Sequence, residues 1–230
     1  GNVYVADSNV HHVQKFKPVA PAMEYLTQMG GNSYVSELVG GYLYTSNGNR
    51  IDVYDVTTNP AAPLWVGRTQ AIPGEVMDMT VAGNYAYVIT NQGNLSVFNI
   101  SNPANPAYVR EVMMVGDEGM ALALDGGANN LYALTNNNSG VSRYSLADPA
   151  NPVYMGFHQV QGWNYDLAIH GNTAYVAVHN NNVGQVWSFD TTAMDQYNND
   201  PPFLTTVDVA GLTLGGGTGI VIEGWSGDPA

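Results

Sequence analysis

Cysteine is absent from the 230 residues. That excludes disulfides, thiolate zinc sites, iron–sulfur clusters and a cysteine nucleophile together. Positive charge is nearly as scarce: Lys plus Arg number 6 against 19 acidic residues, for a formal charge of −13. So few cations cannot neutralise a phosphate backbone, and nucleic acid is not expected as a partner. Anionic membrane surfaces are disfavoured for the same reason. No apolar run is long enough for a membrane span, and no signal peptide is visible. Sustained i, i+3, i+4 apolar spacing, the mark of an amphipathic helix, is missing throughout. So are the G-x-S-x-G elbow, the P-loop and H-E-x-x-H. The glycine-rich "GLTLGGGTG" at 211–219 joins two apolar runs, with no helix N-terminus behind it to hold phosphate.

What is present is repetition. An apolar fraction of 45% is ordinary for a folded chain, and the order within it is periodic. Tyr4, Tyr44, Tyr87, Tyr132 and Tyr175 lie in similar apolar runs, 40, 43, 45 and 43 residues apart. Downstream of each stands another aromatic: Phe16, Tyr54, Phe98, Tyr144 and Phe189. A proline turn follows three times, with Pro60, Pro103 and Pro149 trailed by Pro63, Pro106 and Pro152. Three markers sharing one period fix the register.

A period in the low forties suits helix pairs or propeller blades. The third unit decides between them, reading "EVMDMTVAG", "NYAYVITN", "GNLSVFNI", "AYVREVMM": four short Val/Ile/Tyr/Phe runs parted by Gly, Asn and Pro. Four strands per unit predict four-stranded antiparallel blades, hence an all-β propeller. The proline turns then link the third strand to the fourth, since proline cannot donate within a ladder. On "IDVYDVTTNPAAPLWVG", "LSVFNISNPANPAYV" and "VSRYSLADPANPVYMG", units two to four resemble LVIVD-type propeller repeats. The first unit, "GNVYVADSNVHHVQKFKP", is similar to an NHL repeat, another propeller blade. The fifth departs, its short turn lengthened to "DTTAMDQYNNDPPF". The resemblance implies the fold and leaves function open, because such blades serve binding, scaffolding and some enzymes.

The chain opens on a second-strand pattern, and "GTGIVIEG" at 217–224 matches an innermost strand. Five blades closed by the C-terminal strand are therefore expected: 1–32 plus 217–224, 33–74, 75–118, 119–162 and 163–212. An open ring would leave unpaired strand edges and exposed apolar blade faces. Membership of a longer propeller, trimmed at Gly1, is the alternative.

Propeller connectivity places the second-to-third-strand loops and the blade-to-blade loops on one face. That gathers His11, His12, Arg50, Glu75, Glu118, Trp163 and His179 around a rim, with Trp225 in a further glycine-flanked loop. "HH" points its rings to opposite faces of a strand, so the pair does not chelate. Aligned innermost strands put Asp78 and Asp166 at one position, with Ser36 and Ala121 in the other units. Two carboxylates there would suit calcium or an acid/base pair. The favoured reading is that each accepts backbone amides from the neighbouring blade, as buried polar groups normally do. Trp187 stands where other units have Asp52, Ser96 and Ser142, and is expected to pack between blades or to stack on a ligand.

The first functional reading is a non-catalytic, extracellular or cell-surface propeller whose rim loops bind protein or glycan partners without a cofactor. The second is a calcium-assisted hydrolase or lyase using Asp78 and Asp166. A self-assembling subunit of a surface layer or filament is the third. Location is read from the acidic, lysine-poor, Asn/Gly/Tyr-rich composition alone.

Overall fold

A computed structural model of the chain describes residues 3–7, 12–19, 22–136, 139–180, 183–195 and 203–208, with side chains from 26 onward apart from 30, 195 and 203–208. Five antiparallel sheets follow one another in chain order. The first has three strands, β1 (Val3–Asp7), β2 (His12–Val19) and β3 (Ala22–Gly30). The second holds β4 (Ser36–Val39), β5 (Tyr42–Asn47), β6 (Arg50–Asp55) and β7 (Leu64–Arg68). The third holds β8 (Val76–Ala82), β9 (Tyr85–Thr90), β10 (Leu95–Asn99) and β11 (Ala107–Val112). In the fourth are β12 (Gly119–Leu124), β13 (Asn130–Thr135), β14 (Gly140–Ser145) and β15 (Val153–Gln159). The fifth comprises β16 (Trp163–His170), β17 (Thr173–Asn180), β18 (Val183–Asp190) and β19 (Phe203–Asp208). First strands of successive sheets lie against one another, β4 on β8, β8 on β12 and β12 on β16. This is the propeller arrangement, with the first strand of each four-stranded sheet innermost. The expected closing strand at 217–224 lies outside the described residues.

Six of the aromatic repeat markers pack between blades, while Tyr54 and Tyr175 are only half-buried. Tyr44, Tyr87, Tyr132, Phe98, Tyr144 and Phe189 are fully buried. They sit in apolar clusters that join the second sheet to the third, the third to the fourth and the fourth to the fifth. Burying each such side chain contributes about 1.5–3 kcal/mol, so a recurring aromatic is what recurring blade contact requires. The hydroxyls find carbonyls: Tyr87 donates to Pro149 at 2.9 Å and Tyr144 to Met113 at 3.0 Å. Burial pushes the Tyr87 phenol up to about 12 and the Tyr144 phenol higher still.

The proline turns run from β6 to β7, β10 to β11 and β14 to β15. Each is folded by an Asx side chain on its own backbone: Asn59 Oδ1 accepts from Ala61 N, Asn102 Oδ1 from Ala104 N and Asp148 Oδ1 from Ala150 N. The turns also clasp the preceding blade. A Cβ at Gly67, on β7, would collide with the carbonyls of Pro103 and Ala104 in the third sheet's turn. Gly156 on β15 likewise faces the Met194 carbonyl. In the fifth sheet the lengthened turn begins as a 3-10 helix, Thr191–Asp195, which does the docking there. Asp190 caps it, accepting from Thr192 N at 2.8 Å. The oxygen-rich Asn198, Asn199 and Asp200 lie outside the described residues.

The register corrects one alignment. Asp78 pairs with Ile89, Ala121 with Leu134 and Asp166 with Ala177, each beside a bulge in its inner strand. β4 begins beyond that point, with Ser36 opposite Thr45. Val35, whose carbonyl accepts from Ser46 N at 3.0 Å, therefore holds the place of Asp78. Ser36 is shifted by one residue.

Candidate functional site

Backbone bonds knit the two loop families into one face. Ile72 N donates to Asn49 O and Val76 N to Gly48 O, so the segment entering β8 lies on the β5–β6 loop. The same contact then repeats around the arc. Gly48 N donates to Asn32 O at 2.9 Å, Asn91 N to Glu75 O at 3.0 Å and Asn136 N to Glu118 O at 2.8 Å. In the fifth sheet the corresponding pair is His179 opposite Trp163. Asn32, Glu75, Glu118 and Trp163 thus occupy one rim position on four successive blades.

Side chains tie this row together across blades. Asn32 Nδ2 donates to Glu75 Oε1 at 2.8 Å. Asn136 Nδ2 donates to Glu118 Oε2 at 3.2 Å, while its Oδ1 accepts from Asn164 N at 2.9 Å, next to Trp163. Glu118 and the Trp163 backbone are therefore linked through one amide. Trp163 is 54% exposed despite its size. Arg50 begins β6 near the base of the loops and donates from Nη1 to Thr69 O at 3.2 Å. His179 is half-buried near the end of β17. The bridging asparagines carry no sequence motif of their own; only the register shows that they share a place.

His12 begins β2, opposite Asp7 and Gly30, and its side chain lies outside the description, as do His11 and Trp225. His170 is the last residue of β16, opposite Thr173.

Beneath the rim, Asp78 bridges two blades. Its Oδ1 accepts from Met79 N at 2.8 Å and its Oδ2 from Leu122 N, on β12, at 2.6 Å. Part of its surface stays accessible, yet protein packs around the carboxyl. Burial pushes it up to about 7, against the pull of the two amides, with Asp166 and Glu37 adding repulsion. Asp166 Oδ1 accepts from Leu167 N at 2.9 Å. Glu37, which the sequence reading passed over, belongs to this acidic group, and burial raises its carboxyl too. Its signal was a lone acid inside the inner-strand run "VSELVGG". Among the described residues, no three His, Asp or Glu are placed to share a metal.

The unit-to-unit polar position has two fates. Asp52 is 2% exposed, bound by Arg68 Nη2 at 3.0 Å and Asn47 Nδ2 at 2.7 Å. Burial raises its carboxyl, but hydrogen bonds from Arg68, Asn47 and Trp65 outweigh that and hold it below its usual value. Trp187 packs against the core between the fourth and fifth sheets and donates to Gln185 Oε1 at 2.8 Å. It is a packing residue.

A family profile for the LVIVD repeat matches residues 31–70, 73–114 and 161–183. The chain carries LVIVD repeats. The matched segments coincide with the second and third sheets and the start of the fifth; the fourth builds the same sheet between them. No curated protein matches the chain. Among solved structures, a candidate 6-phosphogluconolactonase of Bacteroides fragilis superposes with TM-score 0.73 at 15% identity, covering 90% of this chain and 68% of that one. A protein of Lactobacillus plantarum gives 0.73 at 12% identity, with 89% and 67% covered. The periplasmic gluconolactonase of Pseudomonas aeruginosa gives 0.69 at 16%, with 89% and 65% covered. The LVIVD-bearing chain thus spans about two thirds of these structures. At such identities the likeness establishes the propeller fold.

Proposed function

We propose that this LVIVD-repeat propeller is a binding module whose rim face holds protein or glycan partners outside the cell. The observation that carries the reading is the shared rim position. Register aligns Asn32, Glu75, Glu118 and Trp163 on four blades, and amide bonds hold the carboxylates in place, Glu75 from the preceding blade and Glu118 from its own. Preorganised loops lose little freedom on binding, which favours recognition over a rigid scaffold. An indole left 54% exposed beside them is a recognition group of the kind that anchors interfaces and stacks on sugars.

A hydrolase is the second reading, favoured by the lactonase names of two similar structures and by the raised carboxyl of Asp78. Asp78 already spends both oxygens on backbone amides. A phosphorylated substrate would also want cationic partners, and on the described rim only Arg50 is basic. If metal enters at Asp78 and Asp166, calcium would supply charge neutralisation there.

Glycan and peptide arrays probed with the wild-type chain and with Trp163→Ala test the first reading. Ligands lost on the substitution support it; ligands indifferent to it refute it. Hydrolysis of lactones that vanishes with Asp78→Ala, or a melting temperature raised by calcium in the wild type and unmoved in Asp78→Ala/Asp166→Ala, would favour the second.

A further inference from the structure

We infer that the rim arc binds a cationic partner, specifically an extended lysine- or arginine-bearing segment of another protein. The inference rests on the rim-binding reading and names the chemistry of its ligand. Charge is the first argument. Among the described residues the only ion pair is Arg68 with Asp52, so Glu75 and Glu118 are held by neutral amides and keep their charge for a guest. Asp117, exposed beside Glu118, adds to them.

The opposing charges are elsewhere. Arg110 lies on the outer strand β11, and Arg143 on β14 donates to Asn130 Oδ1 and Thr191 O. Among the residues whose side chains are described, Arg50 alone is near the rim, and it is engaged by the Thr69 carbonyl. With a formal charge of −13 over the whole chain, the field over this face attracts cations and repels phosphates and sulfates.

Trp163 is the second argument. It stands in the same register position as the two glutamates, next to the Asn136 amide that fixes Glu118. An ammonium or guanidinium group between the indole face and that carboxylate would gain a cation–π contact and a charge-assisted hydrogen bond at once. The positions recur on successive blades along an arc. A single small amine would touch one of them, whereas an extended basic segment would touch several.

Titration of the full chain with decalysine, followed by tryptophan fluorescence and calorimetry, is the test, with decaglutamate and lysine methyl ester as comparison probes. The wild type should bind decalysine and ignore decaglutamate. Glu75→Gln/Glu118→Gln should weaken binding at least tenfold. The exposed pair Glu111→Gln/Asp148→Asn, which makes the same change in net charge away from the rim, should weaken it less than threefold. Trp163→Ala should weaken it further than Trp163→Phe, which keeps an aromatic ring. Equal losses in the two charge pairs would mean diffuse attraction and overturn the inference. So would lysine methyl ester binding as tightly as decalysine, which would mean a single amine site.

If decalysine is ignored while array ligands still fall away on Trp163→Ala, the cationic partner is refuted and the rim reading stands. If decalysine and array ligands are alike indifferent to the rim variants, both fall. Matching far-ultraviolet spectra and melting curves keep misfolded variants out of the comparison.

Discussion

Raising the pH from 5 to 8 should weaken the fold through Asp78. Its carboxyl sits at about 7 in the native chain, against an ordinary value of 3.8. Between those values the folded chain holds a proton that the unfolded chain has released. Stability therefore falls as pH rises through the interval and levels off above about 7. Each unit of this difference is worth about 1.4 kcal/mol, so the two units between pH 5 and 7 amount to roughly 2–3 kcal/mol. Asp52, whose carboxyl is held low, acts in the opposite sense, but its contribution is lost only as pH falls below about 4.

Urea unfolding of the wild type and Asp78→Asn at pH 5 and pH 8 isolates the effect, because the other titrating groups cancel in the difference. The wild type should lose roughly 2–3 kcal/mol relative to the variant, a shift of about 1 M in the urea midpoint at unchanged slope. Parallel profiles, agreeing within about 0.5 kcal/mol, would refute the idea that Asp78 is buried beside Asp166 and Glu37.

Other perturbations probe the blade contacts. Gly67→Ala should cost about 1–3 kcal/mol, since its methyl group meets the Pro103 and Ala104 carbonyls of the next blade; a neutral melting curve would argue against the clasp. Arg68→Met should destabilise by about 1.5–3 kcal/mol by leaving Asp52 short of its cation. Adding Asp52→Ser, the residue type at the equivalent Ser96 and Ser142, should recover most of that in chemical denaturation. Asp78→Ala should destabilise the chain in the same assay, because it strands the Leu122 and Met79 amides, at about 1–3 kcal/mol each.

Spacing made the architecture legible before any coordinates. Tyrosines and phenylalanines at one period are the side chains that fill the blade interfaces, so the burial of Tyr87, Phe98 and Tyr144 was already implied by their recurrence. The site was legible only by face. Loop order puts Glu75, Glu118 and Trp163 on one side, but the strand register decides which inner-strand residues align. Val35 and Asp78 each stand nine residues before the marker tyrosine, Tyr44 or Tyr87, whereas Ser36 stands eight before it, so Ser36 was placed wrongly and Glu37 passed unnoticed.

By itself, the sequence determined the strand content, the period and the identity of the core aromatics, because these follow from local pattern and from the need to bury apolar area in every repeat. Tertiary structure alone decided that Asn32 and Asn136 hold the rim glutamates, and that Asp78 spans from β8 to β12. Those bonds join residues 43, 18 and 44 positions apart. Hydrogen bonds depend on distances of a few tenths of an ångström between such remote groups, and only the packed blades set those distances.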